Sequence, residues 1–319
     1  MSALANTMPH GLCPLVSIVI PCFNGESFVA QAIESALAQT YERREVIVVD
    51  DGSTDRSSAI IDSFAPRVRV VRQPNLGLSA ARNAGIQVSN GSYIAFLDCD
   101  DYWDRIFAAR MVSALETGGA SIAYCGWQNI GLVGGRSAPF IPPDYESARE
   151  KILCLLSDVR WPVHAAMVRR QVIEQVGGFN PMWSSCEDFD FWIRAAISHR
   201  LVRVPEVLAF YRHHGDGQMT RKRAQVAEQF WRVQRRYFQA NPHLIGLLGA
   251  DLVRRITDGA LLERGYACFW DRDLSAAQKI FRNVMKTGYG SLRDWKYLLP
   301  ALLPLGVYRR VVNWVDSRH

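Results

Sequence analysis

Between Leu15 and Asp101, short apolar runs alternate with stretches of helical period, and no other feature restricts the fold as tightly. Leu15–Pro21, Glu45–Val49, Val68–Arg72 and Tyr93–Leu97 read as strands; Phe28–Leu37, Arg56–Phe64 and Leu78–Val88 read as the helices between them. Strands without polar alternation are buried on both faces, as in the middle of a parallel sheet. Alternating strand and helix predicts an α/β domain, with right-handed crossovers and a mostly parallel, Rossmann-like sheet. In open sheets of this kind, ligands bind outside the carboxyl ends of the strands. Three of those ends carry polar clusters: Pro21-Cys22-Phe23-Asn24, Asp50-Asp51 and Asp98-Cys99-Asp100-Asp101. A sheet that delivers acids and amides to one edge reads as a binding crevice.

The last cluster says most about chemistry. Asp98 and Asp100, one residue apart, can both direct an oxygen at one hard cation that also holds a diphosphate. Three acids so close repel one another, and a cation relieves that repulsion. The plainer alternative is a solvated acidic turn. Two common nucleotide signatures are missing, since no G-x-G-x-x-G follows the first strand and no G-x-x-x-x-G-K-[ST] occurs anywhere. A dinucleotide oxidoreductase and a P-loop NTPase are therefore disfavoured. Asn75 and Gly77 suit a loop that lets backbone approach a ligand. Arg82, one turn into the next helix, offers a planar fork for a phosphate or base, or else simply pairs with a nearby carboxylate.

Further along, Asp104–Thr117 reads as a helix, Ser121–Tyr124 as a strand and Gly126–Pro143 as a glycine- and proline-rich loop bordering the site. A short helix, Val168–Val176, is closed by Gly177-Gly178. The helix that starts at Glu187 lines up Phe189, Trp192, Ile193, Ala196 and Ile197 on one face. Glu187 and Asp188 fall in its first turn, where the helix dipole favours ionised carboxylates. Strand Val207–Tyr211 then leads to Arg212-His213-His214, and a neutral imidazole there is a capable metal ligand.

After Thr220 the pattern becomes long helices, roughly 221–239, 243–263 and 274–285, so two regions are expected: residues 1–220 and a basic α-helical region, 221–319. Of the net charge of +6, residues 200–319 hold 21 Lys and Arg against 10 Asp and Glu, while residues 1–199 hold 16 against 21. Such a surplus suits an anionic membrane surface or nucleic acid, and no recognition motif supports nucleic acid. Seven cysteines, an odd number without a C-x-x-C pair, suggest neither a disulfide framework nor a zinc site. No signal peptide or membrane-spanning run is visible, so a cytoplasmic chain is expected, either free or peripheral at the inner face of the plasma membrane.

Six motifs, in order over residues 15–220, resemble the family 2 glycosyltransferases, the inverting group with the GT-A fold, of bacterial polysaccharide and glycan type. They are Val16–Asn24; Asp50–Asp55; Asn75 and Gly77 with Ala80–Gly85; Phe96–Asp101; Gly177-Gly178-Phe179 with Glu187-Asp188-Phe189-Asp190; and Tyr211–His214. The resemblance implies that Pro21, Phe23, Asp51, Asn75 and Arg82 hold the nucleotide of a UDP-sugar donor, with Asn24, Asp50, Gly77 and Cys99 in the same crevice. It makes Asp98 and Asp100 the D-x-D pair on ribose and on the Mn²⁺ or Mg²⁺ that bridges the diphosphate. Asp188 takes the place of the general base, with Glu187 beside it, and His214 that of a further metal or phosphate ligand. Departures are Phe23 for the common tyrosine, Cys99 for the small residue inside D-x-D, and Gln218–Thr220 where a serine usually follows.

The implied reaction is transfer of a hexosyl or N-acetylhexosaminyl group to a glycan or lipid-linked acceptor in cell-envelope polysaccharide synthesis. Two rivals stay open. A nucleotidyltransferase shares a related sheet, but Cys22–Glu26 stands where its basic glycine-rich loop belongs. A non-catalytic binding module is discouraged by the presence of both acid motifs. Donor sugar, acceptor and linkage position are not legible.

Overall fold

The computed structural model of the chain describes residues 13–132, 137–148, 150–214 and 221–316. In chain order come β1 (Val16–Cys22), α1 (Val29–Leu37), β2 (Arg44–Asp50), α2 (Ser57–Asp62), β3 (Arg69–Arg72), α3 (Leu78–Val88) and β4 (Tyr93–Phe96). Next are β5 (Tyr102–Trp103), α4 (Phe107–Gly118), β6 (Ile122–Ile130), α5 (Lys151–Ser157), β7 (Ala166–Arg169), α6 (Arg170–Val176), α7 (Glu187–Ala196) and β8 (Leu201–Arg212). The rest is helical: α8 (Arg223–Ala240), α9 (Pro242–Leu248), α10 (Ala250–Arg254), α11 (Ala260–Trp270), α12 (Leu274–Thr287), α13 (Leu292–Leu298) and α14 (Leu305–Asp316).

These elements form two compact units. The first comprises the chain up to Asp144 together with Trp161–Gly178 and His199–Arg212; the second comprises Tyr145–Arg160, Phe179–Ser198 and the chain from His213 onward. A single boundary near 220 does not describe this division. Two earlier segments join the C-terminal helices because their apolar faces are buried there: Leu156, Trp183, Phe189 and Ile193 share a core with Phe230, Val233 and Phe238.

The first unit holds one eight-stranded sheet in the order β3-β2-β1-β4-β7-β6-β8-β5. The β3-β2-β1-β4 half is parallel, and so is β6-β8; the β4-β7, β7-β6 and β8-β5 pairs are antiparallel. Every residue of β1 and β4 is buried, as their unbroken apolar runs require. Helix α3 lies close on β1: a Cβ added at Gly85 would sit 2.3 Å from Val19 Cγ1. Gly85→Ala therefore overpacks this contact, a change that typically costs about 1–3 kcal/mol.

Val168 and Arg169, expected to open a helix, are instead the end of β7, and the stretch after Tyr124 also differs from its expected form. β6 runs on to Ile130, so the first residues of the expected 126–143 loop are strand. The glycine that suggested a turn, Gly126, instead sits at a register shift in the β6–β8 ladder, where an added Cβ would lie 2.7 Å from the Phe140 carbonyl oxygen. Gly134 and Gly135 lie outside the described residues, as do Gln218–Thr220.

In the second unit the helix expected over 243–263 is interrupted. Gly249, at φ +84°, separates α9 from α10, and a π-helical turn, Arg255–Gly259, precedes α11. A second core gathers Leu261, Ala277, Ile280, Phe281, Val284, Leu298 and Tyr308. No described helix is long and apolar enough to cross a membrane.

Candidate active site

Parallel register brings the polar strand ends of the first unit to one level. Cys22 is paired with Asp50 across β1 and β2, and Val19 with Phe96 across β1 and β4, so the chain positions three further on are Cys22 and Cys99. The two thiols are hydrogen-bonded to each other, which lowers the Cys22 pKa and raises that of Cys99. A Cβ added at Gly25 would lie 2.9 Å from Cys99 Sγ and 3.2 Å from Cys22 Sγ, so only glycine fits the turn that crosses them.

The acids at the end of β2 fold the loops around them. Asp50 Oδ1 accepts from the Ser53 backbone N–H at 3.0 Å, and the Ser58 hydroxyl donates to Oδ2. Burial works against the charged carboxyl, but these donors outweigh it and hold Asp50 below the usual carboxylate range. Asp51 accepts from Gln73 Nε2 (2.6 Å) and from the backbone N–H groups of Leu76 and Gly77 (2.9 Å each). It thereby fixes the loop that carries Asn75 and Gly77, both exposed. The chain passes so tightly there that a Cβ at Gly52, φ +75°, would meet the Asn75 nitrogen at 2.8 Å. Asn24, at φ 51°, accepts through Oδ1 from the Thr54 N–H at 2.8 Å, and next to it Phe23 is exposed.

Arg82 is almost wholly buried, and its Nη2 donates to Asp98 Oδ1 at 2.7 Å. Of the two readings of Arg82, the carboxylate pairing is the one seen, and the carboxylate is the first of the D-x-D pair. Asp98, Cys99 and Asp100 are half-buried, which leaves them within reach of a ligand. Asp101 is more deeply buried: it is 2% exposed, its Oδ1 accepts from the Arg212 backbone N–H at 2.7 Å, and its Oδ2 is 2.9 Å from His164 Nδ1. His164 is fully buried, its carbonyl accepts from Trp103 Nε1 at 2.6 Å, and its ring stacks near Tyr211. Burial disfavours the imidazolium, but the carboxylate of Asp101, then those of Asp98 and Asp100, prevail and raise the His164 pKa.

Asp98, Asp101 and His164 each present a ligand atom, all within 4.8 Å of one another. Two carboxylates and one imidazole suit a Mn²⁺-class ion. This set shares Asp98 with the expected one and contains Asp101 and His164 in addition. The signal for His164 was in the sequence as a lone polar residue in the run Trp161–Ala166, since a buried histidine needs a partner. The role of Asp101 was hidden because its partners come from β8 and from the turn before β7.

Asp188 and His214 belong to the second unit. Asp188 is half-buried in the first turn of α7, with Oδ1 accepting from its neighbour Phe189 N–H at 2.7 Å. The residue before this helix, Cys186, is in the left-handed region at φ 60°. Glu187 is buried, and Asp190 pairs with Arg194 at 2.7 Å. Phe189 stacks on Phe230 at 4.1 Å, and Phe191 on Phe179 at 4.6 Å, so both sides of the helix are held. His214 is half-buried, just after the end of β8.

Residues 17–177 match the family described as Glycosyl transferase family 2. An uncharacterized glycosyltransferase of Bacillus subtilis, EpsJ, is 38% identical over 141 residues, which are 43% of this chain and 40% of EpsJ. The chain thus spans well under two thirds of that relative. Among solved structures, S. aureus TarS 1–349 in complex with UDP-GlcNAc superimposes with a TM-score of 0.54 at 16% identity, covering 96% of this chain and 92% of that one. The mannosyltransferase PcManGT of Pyrobaculum calidifontis, in complex with GDP-Man and Mn²⁺, gives a TM-score of 0.54 at 18% identity over 94% and 83% of the two chains. At these identities the two structures show the shared fold.

Proposed function

The chain belongs to glycosyl transferase family 2, and from that footing we propose that it moves a sugar from a nucleotide-diphospho-sugar to a hydroxyl group of a glycan or lipid-linked acceptor in a single inverting displacement. The observation that carries this reading is the buried Arg82 guanidinium donating to Asp98, with the Asp51-folded loop at the end of β2 and the half-buried Asp100 after β4. That arrangement offers donors and carboxylates together at the strand ends where a nucleotide diphosphate binds. The fold-sharing proteins support it, since one was solved with UDP-GlcNAc and another with GDP-Man and Mn²⁺. We take UDP as the first donor nucleotide to test, and hexosyl or N-acetylhexosaminyl as the group transferred.

In this reading Phe23 and the Asn75–Gly77 loop border the nucleotide, and Arg82 orients Asp98 toward the ribose. Mn²⁺ or Mg²⁺ bound through Asp98 and Asp100 would neutralise charge on the departing diphosphate as a Lewis acid. Asp188 takes the proton of the acceptor hydroxyl, a general-base role worth about 10²–10⁴ in rate. It lies half-buried in the first turn of α7. Glu187 and His214 are its proposed companions, His214 as a further metal or phosphate ligand.

The exposed apolar residues of the last helices, among them Leu292, Leu302 and Trp314, lie near Arg293, Arg309 and Arg310 in the chain. That mixture fits peripheral contact with an anionic membrane surface, on the cytoplasmic side if the acceptor is lipid-linked. The reaction itself is tested by incubating the chain with a panel of nucleotide sugars and Mn²⁺ or Mg²⁺, and identifying products by mass spectrometry. Sugar transfer or slow donor hydrolysis is expected, whereas nucleotidyl transfer to a sugar phosphate would overturn the reading.

A further inference from the structure

The second unit contains a pocket of about 260 Å³ lined by Trp183, Trp231, Arg232, Arg235, Arg236 and Gln239. Four of these residues recur at i, i+3, i+4 and i+7 along α8 and so share one face of that helix. Its aromatic walls are fixed. Trp183 is 8% exposed and packs in a core with Phe189, Phe230 and Val233, while Trp231 Nε1 donates to Asp258 Oδ1 at 2.7 Å. The arginine heads, in contrast, are exposed.

Their charges are unevenly answered. Arg232 pairs with Glu228 at 2.6 Å. Arg235 lies over the Trp231 ring, 4.9 Å from its centroid, and Arg236 Nη1 donates to Met182 Sδ at 3.5 Å; neither has an acidic partner among the described residues. Arg235 and Arg236 thus leave two positive charges at the pocket that an oxyanion would answer. Two adjacent planar forks match the geometry of a phosphate or carboxylate. The Trp183 and Trp231 indoles line the pocket beside them and give a sugar ring an apolar wall. The volume is below the roughly 300–1,000 Å³ common for drug-sized ligands, which fits one ring with its substituent.

We propose that this pocket binds an anionic sugar, with its phosphate or carboxylate on Arg235 and Arg236 and its ring beside the Trp183 and Trp231 indoles that line the pocket. That the sugar belongs to the acceptor rests on the transferase reading above. It agrees with the position of Trp183, five residues before Asp188 and packed in the same core as Phe189.

The test is calorimetric titration of the full chain with glucose 1-phosphate, glucuronate and glucose, repeated for Arg235→Gln/Arg236→Gln and for the charge-matched control Arg309→Gln/Arg310→Gln. Glucose 1-phosphate, glucuronate or both should bind and glucose should not; whichever binds identifies the oxyanion. The pocket variant should lose at least tenfold in affinity, the control should not, and both should keep wild-type metal-dependent donor hydrolysis and circular dichroism. Equal binding by pocket variant and control, equal binding of glucose, or no binding of either anionic sugar at millimolar concentration would overturn the proposal. If the anionic sugars bind in an Arg235- and Arg236-dependent way while no nucleotide sugar is turned over, the pocket assignment stands and the transferase reading fails.

Discussion

The Nδ1 atom of His164 lies 2.9 Å from Oδ2 of Asp101, and neither side chain is more than 1% exposed. This pair ties the D-x-D turn to the end of β8, because the other oxygen of Asp101 takes the Arg212 backbone N–H. Removing one partner of such a buried pair typically costs about 3–5 kcal/mol, since the other is left uncompensated. Asp101→Leu and His164→Leu should each destabilise by that order in urea unfolding. The double variant should lose clearly less than the sum. Strict additivity would show that the two groups act independently.

The same pair sets a pH dependence. The folded-state pKa of His164 is raised above its ordinary value of 6.5. A raised pKa contributes stability that is fully present below the unfolded value and is lost as pH climbs through the folded one. Unfolding free energy should therefore fall as pH rises from about 6.5, and His164→Gln should flatten that decline. An unchanged slope in the variant would assign it to another group.

Arg82 and Asp98 make a sharper test of the donor site than of stability. Arg82→Lys keeps the charge and loses the planar fork. Calorimetry with UDP and Mn²⁺ should show affinity reduced by about tenfold or more, equivalent to roughly 1.4 kcal/mol. Wild-type affinity in this variant would remove Arg82 from the nucleotide site.

The last helices predict a salt-sensitive association. Flotation with vesicles containing anionic lipid should carry the protein at low salt and much less at high salt, as exposed charges are screened. Leu302→Ser with Trp314→Ser should weaken flotation further. Failure to float with the vesicles even at low salt would indicate a simple solvated basic face.

The strands of the parallel half were legible because burial on both faces leaves an unbroken apolar run, as in Val16–Cys22 and Tyr93–Phe96. The acids at their ends were legible for the same reason, as a polar cluster placed abruptly after such a run. The Asp101–His164 pair was not, since it joins residues 63 positions apart whose meeting depends on β4, β7 and β8 lying together. Gly126 misled because a glycine at a bulge and a glycine in a loop look alike in sequence. The grouping of 145–160 and 179–198 with the C-terminal helices was equally hidden. It follows from the apolar faces of Leu156 and Phe189 finding Phe230 and Val233, a pairing no local pattern announces.

The most direct test of the transferase account is Asp188→Asn, assayed for both turnover and donor binding. The substitution keeps size and hydrogen-bonding capacity but cannot accept the acceptor's proton. The account predicts that sugar transfer falls by about 10²–10⁴, while calorimetry with the nucleotide sugar and Mn²⁺ stays near wild type. Near-wild-type turnover, or loss of donor binding along with transfer, would contradict the assignment of Asp188 as the base.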